Sequence, residues 1–425
     1  MIIFVVAIGL LISIASYQKH KKWINPYTVY VMPHSASMLL LLGSNFLDNS
    51  LSVNTLVGFF GAEIIYCLGV FLSGRFTLKI RTRKVKRATL NIYWFVGITS
   101  VIVDIFIALY LQAIQNSFGI INAVLNLSGY NVFIQTKGIN SFNSIMIFLS
   151  TPLSLLIQIC LRRLPDIKER PIVRALFIIQ FFICFVPFIS SRRSVLILTI
   201  LMNLLLYYLM SSHEKRHNYK RIIIIAASVY LGLLFFSKTQ SLMNKTMDFS
   251  ITCFGITVPK FLKDAFGYVA GNYAYLNKVL ENGVPMGDVP LLATLRVAYI
   301  YLGGLFGLNI DTTSPFALRF LQIGKNYSYP FNTTTIHYYF MVDLGPAYLI
   351  EFLILGMITG MIFYRANRKQ TYWSYMLCAF QFSLVFMSFR EYDLIFVNSI
   401  ITLLFIWIFK HFNYRTSRQQ EVEGL

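Results

Sequence analysis

Charged residues are scarce in this sequence. Asp, Glu, Lys and Arg make up 13% of the 425 residues, whereas 56% are hydrophobic and the mean hydropathy is +0.63. A soluble domain usually contains about 25% charged residues. The composition therefore excludes an ordinary soluble protein and predicts an all-α, polytopic helical membrane protein, a single integral membrane domain over residues 1–425. The net charge of +20 does not indicate nucleic acid, because it is concentrated in the polar gaps between apolar runs.

The motifs of soluble catalytic domains are also missing. The sequence has no P-loop, no GxGxxG after a strand, no HExxH and no DxD-type cation site. Four of the five cysteines lie within apolar runs, with no CxxC pair and no Cys/His cluster at metal spacing, so they are read as core residues. Any enzyme here is expected to work within the membrane, with no cofactor and no metal.

Long apolar runs predict about eleven transmembrane helices. A helix needs about 20 residues to cross a hydrocarbon layer of about 30 Å. The predicted spans, in order, are roughly 2–17, 28–47, 54–74, 90–112, 142–161, 172–190, 194–210, 222–237, 338–363, 372–389 and 394–410.

The distribution of positive charge predicts the orientation. About two thirds of the 37 Lys and Arg residues lie in every second gap between spans, and short cytoplasmic loops carry such an excess. Met1 to Ser16 contains no basic residue, whereas Lys19, Lys21 and Lys22 follow. A cleavable signal peptide is therefore not expected. The N-terminus should face outward, the C-terminus should be cytoplasmic, and the location should be the cytoplasmic (inner) membrane.

A long outer segment, residues 238–335, separates the eighth and ninth predicted spans. It contains the apolar stretch from Pro290 to Ile310, which Arg296 and the pair Gly303-Gly304 interrupt. A full span here would invert the later loop charges. We therefore expect a re-entrant or surface-lying helix, which is tolerated where irregular backbone lines a cavity.

Five arginines fall on the side that is otherwise poor in basic residues. Arginine grips phosphate with two parallel N–H donors, which would suit a site for a pyrophosphate-linked lipid. The alternative is that each side chain extends toward lipid headgroups. These candidates are Arg192, Arg193, Arg296, Arg319 and Arg390.

His337 is the only histidine predicted on the outer side. A histidine can act as a general base on a hydroxyl, or it can simply cap a helix start at the interface. Asp343 could orient that base or bind a sugar hydroxyl, or it could cap a helix break beside Gly345-Pro346. Three further acids, Glu63, Asp104 and Glu351, lie within predicted spans and are functional candidates by position.

Several of these segments together resemble one family. Ser191-Arg192-Arg193-Ser194 enters an apolar span, Gly271-Asn272-Tyr273 lies in the long outer segment, and Asn332-Thr333-Thr334-Thr335 leads to Asp343-Leu344-Gly345. This pattern resembles the Wzy-type polymerases of oligosaccharide repeat units, which make O-antigens and capsules in bacteria. Arg296 followed by Gly307 also fits the Arg-x10-Gly pattern of that family's outer loops. The resemblance covers roughly residues 190–400.

The resemblance implies glycosyl transfer on the outer face of the membrane. The donor would be a glycan on undecaprenyl pyrophosphate, and the acceptor a sugar hydroxyl on a lipid-linked repeat unit. The five arginines would hold the leaving pyrophosphate, His337 would deprotonate the acceptor and Asp343 would orient it. The implied sugar contacts are Asn272, Tyr273, Asn332 and Tyr338. The implied partners are the lipid-linked oligosaccharide, membrane lipids, a chain-length regulator and a flippase.

Two other functions stay open at this point. An O-antigen ligase would share the donor and the topology but pass the glycan to a different acceptor. A flippase for lipid-linked oligosaccharides would use Glu63, Asp104 and Glu351, but it predicts two related halves, and no internal repeat is visible.

Overall fold

The structure is a computed structural model. It describes residues 2–45, 51–75, 89–126, 141–163, 167, 170–188, 193–211, 250–307, 310–312, 315, 323, 333–411 and 413–415.

The described chain is predominantly helical, with two short two-stranded ribbons. We number its main elements in chain order, leaving short 3₁₀ turns unnumbered. They are α1 (Ile2–His20), α2 (Thr28–Leu42), α3 (Val53–Arg75), β1 (Thr89–Asn91), α4 (Ile92–Ser117), α5 (Ile120–Leu125), α6 (Ser141–Met146), α7 (Ser150–Arg163), α8 (Pro171–Ile183), α9 (Arg193–Met210), β2 (Thr252–Cys253), β3 (Ile256–Thr257), α10 (Lys260–Asn282), α11 (Arg296–Leu305), α12 (Ile336–Leu344), α13 (Leu349–Lys369), α14 (Tyr372–Met387), α15 (Val397–Lys410) and β4 (Asn413–Arg415).

The helical class predicted from composition is confirmed. Four helices of the described chain are long and apolar enough to cross a membrane: Val53–Arg75, Ile92–Ser117, Pro171–Phe188 and Leu349–Lys369. Shorter apolar helices occupy most of the other predicted spans, and the predicted span 222–237 lies outside the described residues. The count of eleven spans, the orientation and the membrane in which the chain resides remain predictions.

The chain divides into two compact units. The first is formed by Met1–Leu78, His217–Asn367 and Leu384–Phe396, and the second by Lys79–Arg216, Arg368–Ser383 and Val397–Leu425. The expectation of one membrane domain concerns their arrangement in the bilayer and stays a prediction. Each unit is described by itself below.

In the first unit, a polar side chain that precedes α2 bonds to the backbone at its start. The Asn25 carboxamide oxygen accepts hydrogen bonds from the backbone N–H groups of Tyr27 and Thr28, at 3.0 and 3.2 Å. The Thr28 hydroxyl in return lies 3.1 Å from the Asn25 nitrogen, whose N–H it accepts. These reciprocal bonds satisfy donors that a helix start leaves open. Helices α1 and α10 both pack against α2, and α10 also packs against α3.

Glycines bring α3 and α13 together at backbone distance. A Cβ atom placed on Gly69 would lie 2.2 Å from the Leu353 carbonyl oxygen, and one on Gly356 would lie 2.2 Å from the Tyr66 carbonyl oxygen. Gly360 comes similarly close to Ser73. Gly356 and Gly360 form a GxxxG pair, and small residues at this spacing allow apolar helices to approach closely.

The second unit contains the hydrophobic cluster of Phe148, Phe188, Val195 and Leu196. Polar bonds join α7 to α9: the hydroxyls of Thr151 and Thr199 are 2.9 Å apart, and the Asn203 amide donates to the Ser154 hydroxyl at 2.9 Å. Strands β1 and β4 pair in parallel. Neither this ribbon nor the β2–β3 ribbon of the first unit was predicted from the composition.

The predicted ninth span is broken into two helices. Helix α12 ends at Leu344, Gly345 adopts φ of +54°, and a 3₁₀ turn, Gly345–Ala347, precedes α13. Glycine tolerates the positive φ and proline cannot continue the backbone ladder, so Gly345-Pro346 sets the break.

Two helices lie in the described part of the segment 238–335. Helix α10 has 23 residues and α11 has 10, so α11 is about 15 Å long and too short to cross a bilayer. Neither meets the length and hydropathy criteria of a membrane span. The re-entrant or surface position expected for Pro290–Ile310 stays a prediction.

Candidate functional site

A chain of buried hydrogen bonds lies at the centre of the first unit. His34 Nδ1 lies 2.6 Å from the Tyr273 hydroxyl, and His34 Nε2 lies 2.8 Å from Ser388 Oγ. Ser388 in turn donates to the Val385 carbonyl at 2.6 Å. Because the serine proton is used there, Ser388 accepts from His34 Nε2–H. We therefore assign neutral His34 the Nε2–H tautomer, whose Nδ1 accepts from Tyr273.

His337 is fully buried beside this chain, whereas the sequence predicted it at the outer mouth of a span. Its ring centroid lies 5.9 Å from that of His34, 5.6 Å from Tyr273 and 4.8 Å from Phe352. Nδ1 is 2.9 Å from the Thr335 hydroxyl, and Nε2 has no partner in hydrogen-bonding geometry among the described residues.

Burial decides the protonation state of His337. Desolvation lowers the pKa of His337 to about 3, and the Gly58 backbone opposes this shift only in part. The imidazole is therefore neutral near pH 7. A base with so low a pKa has little driving force for proton transfer, so the environment makes His337 a weak candidate for the predicted general base.

Two segments of the family-like pattern meet in the structure. The Thr333 hydroxyl donates to the Asn272 carboxamide oxygen at 2.8 Å, across 61 residues of chain. The Asn272 amide nitrogen lies 2.5 Å from the Tyr268 carbonyl oxygen, to which it donates. Asn272 is fully buried, and both polar atoms of its side chain bond within the protein. Its contact with a sugar stays a prediction.

Asp343 is placed differently from its predicted role. Its carboxylate accepts hydrogen bonds from the backbone N–H of Ala293, from the backbone N–H of Thr294 at 3.0 Å and from the Thr294 hydroxyl at 2.9 Å. Among the described contacts, the partner of His337 Nδ1 is Thr335 and not Asp343. The structure therefore does not pair His337 with Asp343. His337 bonds to Thr335, and Asp343 bonds to Ala293 and Thr294.

Two of the five predicted arginines are described with their side chains. Arg296, at the first position of α11, donates from Nε to the Thr312 carbonyl at 2.9 Å. Desolvation lowers the pKa of Arg296, and Tyr339 opposes this shift. Even so, an arginine stays charged at neutral pH.

Arg390 lies in the turn after α14 and forms an ion pair with Glu391, with Nη1 and Oε2 3.5 Å apart. Its guanidinium carbon lies 5.8 Å from the centre of the Tyr268 ring. Burial raises the pKa of Asp393, Glu391 adds to the rise and Arg390 opposes it.

The remaining predicted residues fall into two groups. Tyr338 is buried and its hydroxyl donates to the Pro315 carbonyl at 2.6 Å. Arg192, Arg319 and Asn332 lie outside the described residues, and only the backbone of Arg193 is described, at the start of α9.

Sequence reasoning missed several residues of this region. His34, Ser388 and Thr294 were not selected, because each lies in an apolar run without a recognisable motif, and Thr335 was quoted only as part of the threonine run. Glu63 was noted only as an acid within a span. It is 1% exposed and accepts a hydrogen bond from the Ser35 hydroxyl at 2.9 Å. A histidine or acid within an apolar helix is the signal that could have found His34.

No group of three or more His, Cys, Asp or Glu side chains suited to a metal ion occurs in the part of the chain that the structure describes. Comparison with protein-family models, with curated proteins and with solved structures finds no match to this chain. The functional argument therefore depends on the geometry of the chain's own residues.

Proposed function

We propose that this protein is a membrane glycosyltransferase that polymerises lipid-linked oligosaccharide repeat units on the outer face of the cytoplasmic membrane. The growing glycan on undecaprenyl pyrophosphate is the donor, and a sugar hydroxyl on a second lipid-linked unit is the acceptor. The new glycosidic bond forms as the pyrophosphate leaves, so the reaction needs no nucleotide sugar.

The partly shielded guanidinium of Arg390, in a turn that a backbone hydrogen bond links to the family-like segments, is the observation that carries this proposal. Arg390 forms an ion pair with Glu391, and its guanidinium carbon lies 5.8 Å from the centre of the Tyr268 ring. Arg390 is only 21% exposed, so its charge is partly shielded from water. Fixed positive charge in such surroundings stabilises the negative charge that develops on a leaving pyrophosphate.

The hydrogen bond between Thr333 and Asn272 supports the same proposal. It joins the Gly271-Asn272-Tyr273 segment to the threonine run that precedes His337. The backbone N–H of Ile336 also donates to the Ser388 carbonyl at 2.8 Å, two residues before Arg390. The segments that carry the family-like pattern are therefore linked to the turn that carries one of the two arginines.

The test is the length of glycans made in a host that lacks its own polymerase. The wild-type chain should restore a ladder of repeat units. Arg296→Ala and Arg390→Ala should reduce it by about tenfold or more, and Arg390→Lys should restore only part, because lysine keeps the charge but not the paired donors. Arg174→Ala is the matched control, since Arg174 is an exposed arginine on α8 in the second unit.

A flippase for the same lipid-linked oligosaccharide is the second candidate. The observation that favours it is the presence of two polar pairs on apolar helices, Ser35 with Glu63 and His34 with Tyr273, because buried ionisable groups in membranes often mark transport pathways. Single repeat units confined to the inner face until the chain is supplied would indicate a flippase. A glycan moved once, without a ladder, would indicate a ligase.

A further inference from the structure

Two buried carboxyl groups flank the break between α12 and α13. Asp343, near the end of α12, and Glu351, in the first turn of α13, are each 5% exposed. Their side chains hydrogen-bond to each other. Neither acid forms an ion pair with a basic side chain in the described part of the chain, so no fixed positive charge offsets them there.

Asp343 is the better satisfied of the two acids. Its carboxylate accepts from the backbone N–H groups of Ala293 and Thr294 and from the Thr294 hydroxyl at 2.9 Å. Burial raises the pKa of Asp343, but each of these hydrogen bonds, and the one from Glu351, lowers it. Because several donors stabilise the charged form of a carboxyl group, Asp343 is the member of the pair that is better suited to be ionised.

Glu351 has no comparable set of donors. Its Oε1 atom is buried with no donor among the described residues, and its Oε2 atom lies 3.5 Å from the Thr294 hydroxyl oxygen. That hydroxyl has one proton, which the shorter bond to Asp343 uses. An ionised Glu351 would therefore be a buried charge without a donor, which is costly. A protonated Glu351 instead supplies the O–H that a bond between two carboxyl groups requires.

We propose that Asp343 and Glu351 form a buried proton-binding site, in which the two acids share a single proton. The Glu351 O–H donates to the Asp343 carboxylate, since two carboxyl groups in contact at a buried site cannot both be ionised. Among the described residues, the Tyr392 hydroxyl is the other titratable group that faces the pair. It bonds to Thr294 and interacts electrostatically with both acids.

The shared proton holds three segments of the first unit together. Asp343 binds the turn before α11 through residues 293 and 294, and Glu351 lies beyond the break at Gly345-Pro346. Arg296 follows that turn as the first residue of α11. The acid pair therefore positions the start of the helix that carries Arg296. This inference does not rest on the proposed function, and its test measures no glycan.

Infrared difference spectroscopy of the purified protein in vesicles counts the shared proton. The carbonyl stretching band of a protonated carboxyl group is separate from the bands of carboxylates. At neutral pH, Glu351→Gln should lose one such band, and the double variant with Asp343→Asn should lose no more, because Asp343 is ionised. Glu281→Gln is the matched control and should lose none, since Glu281 is exposed and pairs with Lys278 at 3.1 Å.

Hydrogen exchange of the backbone N–H groups at residues 293 and 294 tests the positioning role. Glu351→Gln keeps an N–H donor toward Asp343, so exchange should stay close to the wild-type rate. Asp343→Asn replaces an accepting oxygen with a donor and should speed exchange by about tenfold or more. Glu351→Met removes the acid without adding a polar group and should lose the same infrared band, so it replaces Glu351→Gln if that variant does not fold.

Three results would overturn the inference. If the folded Glu351 variants lose no band, Glu351 is ionised, as it would be if a cation and not a proton lay between the acids. If the double variant loses two bands, each acid holds its own proton and none is shared. If folded Asp343→Asn exchanges at residues 293 and 294 as slowly as the wild type, the pair does not hold the turn before α11.

Discussion

The close glycine contact between α3 and α13 predicts that an added methyl group there lowers the free energy of unfolding. Gly356→Ala adds a Cβ atom 2.2 Å from the Tyr66 carbonyl oxygen, more than 1 Å inside the 3.4 Å at which ordinary contact begins. In an unconstrained helix, alanine would be about 1 kcal/mol better than glycine. Overpacking costs about 1–3 kcal/mol, and more when the obstacle is backbone. We expect a net loss of about 2 kcal/mol.

The assay is thermal unfolding of detergent-solubilised protein, followed by intrinsic fluorescence. A loss of about 2 kcal/mol should lower Tm by about 2–4 °C. Gly97→Ala is the matched control, because nothing lies within 4 Å of its added Cβ and the change is made within α4. The control should be neutral or stabilising. If Gly356→Ala were also neutral or stabilising, α3 and α13 would not pack through their backbones.

Three further predictions test separate parts of the molecule. Thr333→Val leaves the buried Asn272 carbonyl oxygen without its partner and should cost about 1–3 kcal/mol, whereas Thr333→Ser should be close to wild type in the same unfolding assay. For His337, the folded pKa of about 3 lies below the unfolded value of 6.5, so the unfolded chain binds an extra proton between these values. Stability should therefore fall as pH drops below about 6.5, by about 1.4 kcal/mol per pH unit, and His337→Gln should remove this contribution; equal acid sensitivity in both proteins would contradict it. In a variant that retains only Cys253, which is intermediate in burial, a membrane-impermeant maleimide should label intact cells, and labelling only after lysis would contradict the predicted outer position of this segment.

The helices were predictable because a long apolar run can form few stable structures other than a helix. Helices α3 and α9 lie within a residue or two of the predicted spans 54–74 and 194–210. In a nonpolar environment each backbone group must bond within its own element, so hydropathy alone locates such helices. The packing partners were not predictable, since contacts such as Gly69 against Leu353 join residues distant in sequence.

The candidate site was predictable only in its segments. The sequence singled out Asn272 and the threonine run before His337, and the structure joins them through Thr333. It did not reveal that Asp343 bonds residues 293 and 294 rather than a histidine. Both outcomes depend on the break at Gly345-Pro346. Hydropathy does not reveal this break, because the apolar run continues through it. A single chain without an alignment contains no signal for such a tertiary pairing.

The most direct test of the central claim is polymerisation by the purified protein. Vesicles containing the wild-type chain and lipid-linked repeat units, with no nucleotide sugar, should yield a ladder of glycans and release undecaprenyl pyrophosphate in proportion to the bonds formed. Arg296→Ala and Arg390→Ala should lower both products by about tenfold or more, and Arg174→Ala should retain them. If the wild-type vesicles only moved intact repeat units across the bilayer, without joining them, the account would be contradicted.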